Sequence, residues 1–165
     1  MKKYSPITIG IIAHVDAGKT TLAEKIFELT TANDGLHQSN ESLLDTNQIE
    51  TRRGITIYSK VARFQVNNQP YILVDTPGHV DFGPEMERAL ELMDIAVLLI
   101  SAPDGVVGYT KTLWSLLGKH RIPTIVFVNK TDQMGGETAS LEEQIRETLS
   151  ERIIPFEDSK KRNEE

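Results

Sequence analysis

Residues Ile7–Ala13 (ITIGIIA) form a run of β-branched and small side chains with no charge. A strand with one face in water alternates polar and apolar positions. This run has no polar face to offer, so both its faces must be covered. That requirement selects a parallel sheet packed between helices. The chain repeats the requirement twice more, at Ile95–Ile100 and Pro123–Val128.

Helical patterns fall between these runs. Lys19–Leu29 carries Leu22, Ile26 and Leu29 at helical spacing, and Pro84–Met93 puts Met86, Ala89, Leu90 and Met93 on one face after a proline suited to a helix start. The two methionines read as core rather than as a partner groove. Thr110–Lys119 turns Leu113, Leu116 and Leu117 inward, and Glu137–Glu151 repeats Leu141, Ile145 and Leu149, with Glu142 and Arg146 paired at i,i+4. Ile55–Val66 and Tyr71–Asp75 are expected to form an antiparallel hairpin across Asn67-Asn68-Gln69-Pro70. Thr30–Glu50 is polar and aperiodic, with a turn signal at Asn33-Asp34-Gly35. A loop of that length in a small domain is functional or disordered. The order of elements predicts an α/β fold of three layers, with a mostly parallel sheet and one antiparallel edge strand.

Composition narrows the reading. With 165 residues and 39% apolar content the chain can bury one real core. It has no cysteine, which excludes disulfide scaffolds and cysteine-based metal or nucleophile sites. The formal charge of −6 argues against broad nucleic-acid binding. Residues 137–165 hold nine acids and five bases, so most of that charge lies in the C-terminal part. No apolar run approaches the ~20 residues a membrane helix needs, and no signal peptide is evident. A membrane partner is therefore not expected; the absence of cysteine is compatible with a reducing compartment, and the expected localisation is cytoplasmic.

Three short motifs sit at predicted strand ends. Ala13-His14-Val15-Asp16-Ala17-Gly18-Lys19-Thr20 joins the first strand to the first helix, with the length of a phosphate-binding loop and its Gly-Lys-Thr ending. Backbone N–H groups and a helix N-terminus can hold phosphate oxygens there; Gly18 permits close approach, Lys19 reaches the β- and γ-phosphates, and Thr20 can ligate Mg²⁺. Asp75-Thr76-Pro77-Gly78 follows a strand: Asp75 can hold the metal through water, and Gly78 can offer its N–H to a γ-phosphate. Asn129-Lys130-Thr131-Asp132 follows the third buried strand. Asp132 can accept both donors of a guanine edge, which adenine lacks; Asn129 would brace the loop and Lys130 cover the base. Thr56, in Arg53-Gly54-Ile55-Thr56, can give a second hydroxyl to Mg²⁺ while the γ-phosphate is bound. Each motif alone also has an ordinary reading: a chance helix start, an Asp-x-Pro-Gly turn, an Asx turn, a β-branched strand residue. Together, on one edge of a parallel sheet, they mark a nucleotide site.

In order and spacing, AHVDAGKTT at 13–21, RGITI at 53–57, DTPGHVDF at 75–82 and NKTD at 129–132 resemble the translational GTPases. Ala13, where the generic loop has glycine, matches that family. Phe82 points to the elongation factor G class. Residues 12–24, 45–56 and 98–106 are most similar to the tetracycline-resistance ribosomal protection proteins, with translocation factors of the elongation factor G type as the alternative.

The resemblance implies GTP or GDP and Mg²⁺ as ligands, with nucleotide contacts from His14, Val15, Asp16, Ala17, Gly18, Lys19, Thr20, Thr21, Asp75, Gly78, Asn129, Lys130 and Asp132, and metal contacts from Thr20, Thr56 and Asp75. It implies that His79, with Lys19, is catalytic: the histidine after Pro-Gly orients the attacking water. Val15 and Ile55 match an apolar gate beside it, although ordinary packing explains them equally, and Asp16 is a candidate for a monovalent cation. His14 reads first as structural, and His37 and His120 as surface residues. The partner implied is the ribosome, through a longer parent protein, without sequence-specific nucleic-acid binding by these residues. A fifth element of the family, a Ser-Ala loop touching guanine, has no match: Thr138-Ala139-Ser140 reads as a helix start. The expected organisation is a GTP-binding domain over 1–158, lacking its last strand and helix, and a polar, frayed tail at 159–165. The open sheet edge beside Pro123–Val128 favours association. A different class of reading, a weak nucleotide-binding module without catalysis, follows from the absent fifth element.

Overall fold

The structure is a computed structural model, and it describes residues 4–33, 61–76, 84–133 and 138–156. Among the described residues five strands form one sheet: β1 (Ile7–Ala13), β2 (Val61–Val66), β3 (Gln69–Asp75), β4 (Ile95–Ser101) and β5 (Thr124–Asn129). Four described helices accompany them: α1 (Lys19–Asn33), α2 (Pro84–Glu91), α3 (Gly108–Lys119) and α4 (Thr138–Thr148). The strand order is β2-β3-β1-β4-β5. β1 runs parallel to β3 and β4, β4 runs parallel to β5, and β2 alone pairs antiparallel, on β3 at the sheet's edge. This is the α/β architecture the alternation of buried runs predicts.

The hairpin turns tightly. Val66 pairs with Gln69, so the loop is Asn67-Asn68, and both asparagines have positive φ (51° and 65°). Two left-handed residues in succession give a turn whose twist matches the strands, and asparagine tolerates that backbone best after glycine. Phe64 and Tyr71 stack across the hairpin at 5.3 Å.

The two faces of the sheet bury different helices. Ile12, Ala96 and Leu98 pack with Met86, Ala89, Leu90 and Met93 around α2 and with Leu113 and Leu117 of α3. Ile100 and Ala102 pack with Leu141 and Ile145 of α4. On the opposite face Leu99 meets Ala13, Ala17 and Leu22 of α1. Gly10 is small for a reason: a Cβ there would stand 2.1 Å from the Met93 sulfur. β4 is also pinned at its start, where Asp94 accepts from the Thr8 N–H at 2.7 Å and returns its own N–H to the Thr8 carbonyl.

Four expectations need correction. Pro123–Val128 reads as a strand buried on both faces, yet Ile125 is 56% exposed and Phe127 41%. Val126 and Val128 pack toward α4. Phe127 lies beside Leu99 on the other face, where α1 rests chiefly on β1, β2 and β3. Leu29, at helical spacing with Leu22 and Ile26, is exposed on α1. That helix continues to Asn33, four residues past its expected end. His120 is not a surface residue: it is half-buried after α3, with its Nε2 buried and without a hydrogen-bond partner.

Candidate nucleotide-binding site

The parallel register aligns the strand ends. Ile11 pairs with Asp75, Ala13 with Leu99, and Ser101 with Asn129, so β1, β3, β4 and β5 all finish on one edge of the sheet. Loops leaving the carboxyl ends of parallel strands form the crevice where such folds bind ligands. The phosphate-loop motif, Asp75 and the Asn129–Asp132 motif all leave from this edge.

Loop 13–20 is shaped by its backbone. Asp16 and Gly18 have φ of +63° and +93°, and the Leu22 N–H already donates to the Gly18 carbonyl at 2.9 Å, so the loop passes directly into the first turn of α1. Ala17 is buried against Leu99 and fixes the loop to the sheet, whereas Val15 is 46% exposed, and Asp16, Thr20 and Thr21 are also exposed. His14, Gly18 and Lys19 are half-buried. A glycine at φ +93° is required twice over at position 18: an L side chain is strained there, and a Cβ would stand 2.4 Å from the Asn129 amide nitrogen.

That amide nitrogen is the bridge between two motifs. Asn129 Nδ2 donates to the Ala17 carbonyl at 2.9 Å. On its other side, the Asn129 carbonyl accepts from the Ala102 N–H at 2.8 Å. Lys130 then turns through φ +59° into a single 3-10 turn, Thr131–Gln133, closed by the Gln133 N–H on the Lys130 carbonyl. Asp132 is exposed on this turn and Lys130 is half-buried. Thr76, inside the second motif, is buried and donates to the Ile11 carbonyl at 2.9 Å, anchoring the end of β3 to β1; its spacing alone does not signal that role.

Asp75 is placed by its backbone at the end of β3. Ile55, Thr56, Gly78, His79 and the tail at 159–165 lie outside the described residues, as does most of the loop expected at 30–50. Among the described residues no cluster of three or more His, Cys, Asp or Glu could hold a metal. Thr20 is exposed in the first turn of α1.

The model of the elongation factor Tu GTP binding domain matches residues 5–163. The chain belongs to that family. This G domain is 47% identical over 152 residues to tetracycline resistance protein TetM of Streptomyces lividans, and 45% identical over 150 residues to TetW of Butyrivibrio fibrisolvens. The matches cover 91% and 90% of this chain and 24% of each relative, so the G domain spans about a quarter of their length. Among solved structures it resembles translation elongation factor SelB from Methanococcus maripaludis, in complex with the GTP analogue GppNHp. That likeness has a TM-score of 0.65 at 26% identity and covers 90% of this chain and 27% of that one. The G domain is thus of the translational GTPase type. None of its described helices is long and apolar enough to cross a membrane.

Proposed function

We propose that this G domain binds guanine nucleotide with Mg²⁺ at the carboxyl edge of its sheet and hydrolyses GTP, as part of a ribosomal protection protein that releases tetracycline from the ribosome in the cytoplasm. The hydrogen bond from Asn129 to Ala17 carries the nucleotide reading, because it ties the loop suited to guanine to the loop suited to phosphate. The sequence identity to proteins named for tetracycline resistance supports the wider role.

In this reading the N–H groups of residues 15–20 and the N-terminus of α1 receive phosphate oxygens, and Lys19 places a charge between the β- and γ-phosphates. Thr20 and Thr56 give hydroxyls to Mg²⁺, with Asp75 behind a bound water. When bound, the ion neutralises charge on the phosphates as the bond breaks. Asp132 accepts from guanine N1–H and N2–H₂, and an adenine leaves that carboxylate desolvated and unpaired. His79 orients the attacking water. Such chemistry is mostly positioning, and unassisted G domains hydrolyse GTP on the order of once per hour. Hydrolysis by these 165 residues alone is therefore expected to be very slow and little changed by ribosomes.

The wider role is tested by release of labelled tetracycline from ribosomes by the protein that carries this domain. GTP-dependent release is expected. GTP-dependent translocation without drug release would assign it to the elongation factor G type instead.

A further inference from the structure

His14 leaves the end of β1 with its side chain only 13% exposed, and its buried Nε2 has no hydrogen-bond partner. Facing that nitrogen at 3.7 Å is Oδ2 of Asp104, in the turn between β4 and α3. The turn is built rigidly. The N–H groups of Asp104 and Gly105 both donate to the Ser101 carbonyl, at 3.1 and 2.9 Å. Gly105 holds φ +62°, and a Cβ there would stand 2.5 Å from Oε1 of Gln144. The same Oε1 accepts from the Val106 N–H at 3.1 Å. Gln144 belongs to α4, on the outside of the sheet. Hydrogen bonds therefore link α4 to the 104–106 turn, and the remaining step to the phosphate loop is the 3.7 Å approach of Asp104 Oδ2 to His14 Nε2, longer than a hydrogen bond.

The step has the features of a tie rather than a solvated accident. A buried ring nitrogen without a partner is costly, and a carboxylate is the best acceptor or counter-charge for it. The Asp104 side chain is 46% exposed, so it can be reached from the surface while it faces a shielded group. His14 precedes the loop residues whose N–H groups must point together to hold an anion, so the ring's anchoring bears on their alignment.

We propose that His14 is a positioning residue, tied through Asp104 to a turn that Gln144 holds in shape, so that this outer turn sets how firmly the phosphate loop keeps a nucleoside diphosphate. The proposal rests on the nucleotide reading of residues 13–21 and adds a control on that site.

Amide hydrogen exchange on the nucleotide-free chain tests the tie without any ligand. Asp104→Ala and Gln144→Ala are expected to speed exchange several-fold in peptides covering residues 13–22, while peptides from β4 and α3 keep their protection. His14→Ala added to Asp104→Ala should have no further effect, and Asp104→Glu should restore parental exchange. Unchanged exchange at 13–22 in Asp104→Ala overturns the proposal, as does a rise spread evenly over the sheet, which marks general destabilisation. Release of a fluorescent GDP, followed in parallel, should be several-fold faster in the two alanine variants. If the parent chain fails to bind GDP, the nucleotide reading falls, and the exchange result still decides the tie.

Discussion

Asn129 Nδ2 donates to the Ala17 carbonyl oxygen at 2.9 Å, joining two loops 112 residues apart in sequence. The bond couples the two loops that the proposed reading assigns to the base and to the phosphates. Asn129→Ala removes the donor and leaves the Ala17 carbonyl without it, at a cost of about 1–2 kcal/mol. GDP affinity is expected to fall about 5- to 30-fold. Calorimetric titration of GDP into the variant and the parent measures this.

Gly18→Ala should be more severe than its one added carbon suggests. An L residue in left-handed backbone is strained by about 1–2 kcal/mol, and the Cβ here also meets the Asn129 amide nitrogen. Expected outcomes are a lower midpoint in urea unfolding and loss of detectable GDP binding.

Away from the site, Gly10→Ala tests the packing under β1. The new methyl has to displace the Met93 sulfur, and overpacking of this kind costs about 1–3 kcal/mol. Met93→Ala frees the space, so the double variant is expected to be less destabilised than the sum of the two single changes. Urea titrations of all four proteins supply the comparison.

Much of this architecture is legible in the sequence because burial on both faces leaves a plain signature. The runs at β1 and β4 are apolar on both faces, and the structure covers both. β5 is also rich in β-branched residues but lies at the sheet's edge among the described strands, and no residue within it announces that position. Composition reports what a strand tolerates, whereas coverage depends on a helix far away in sequence. The site divides along the same line. Gly18, Lys19, Thr20 and Asn129 are readable because their spacing from a strand end is local. Thr76, Asp104 and Gln144 act through contacts with distant residues, and only the Asp104-Gly105 turn leaves a trace that sequence reading can find.

Ile125 and Phe127 are exposed on β5, which lies at the edge of the sheet among the described strands, a combination that promotes pairing between molecules. Ile125→Thr with Phe127→Thr should change stability by no more than about 0.5 kcal/mol per site. The same pair of changes should reduce concentration-dependent association in sedimentation velocity. Association equal to the parent's would place the contact elsewhere.

A guanine-nucleotide site on the carboxyl edge of the sheet must discriminate between bases, and competition binding reads that discrimination. Titration of GDP in the presence of Mg²⁺ is expected to give saturable binding at one site, displaced by GTP and not by ATP at the same concentration. Asp132→Ala should weaken GDP and leave ATP unable to bind. Absence of GDP binding, or equal displacement by ATP and GTP, would rule out a guanine-selective site at this edge.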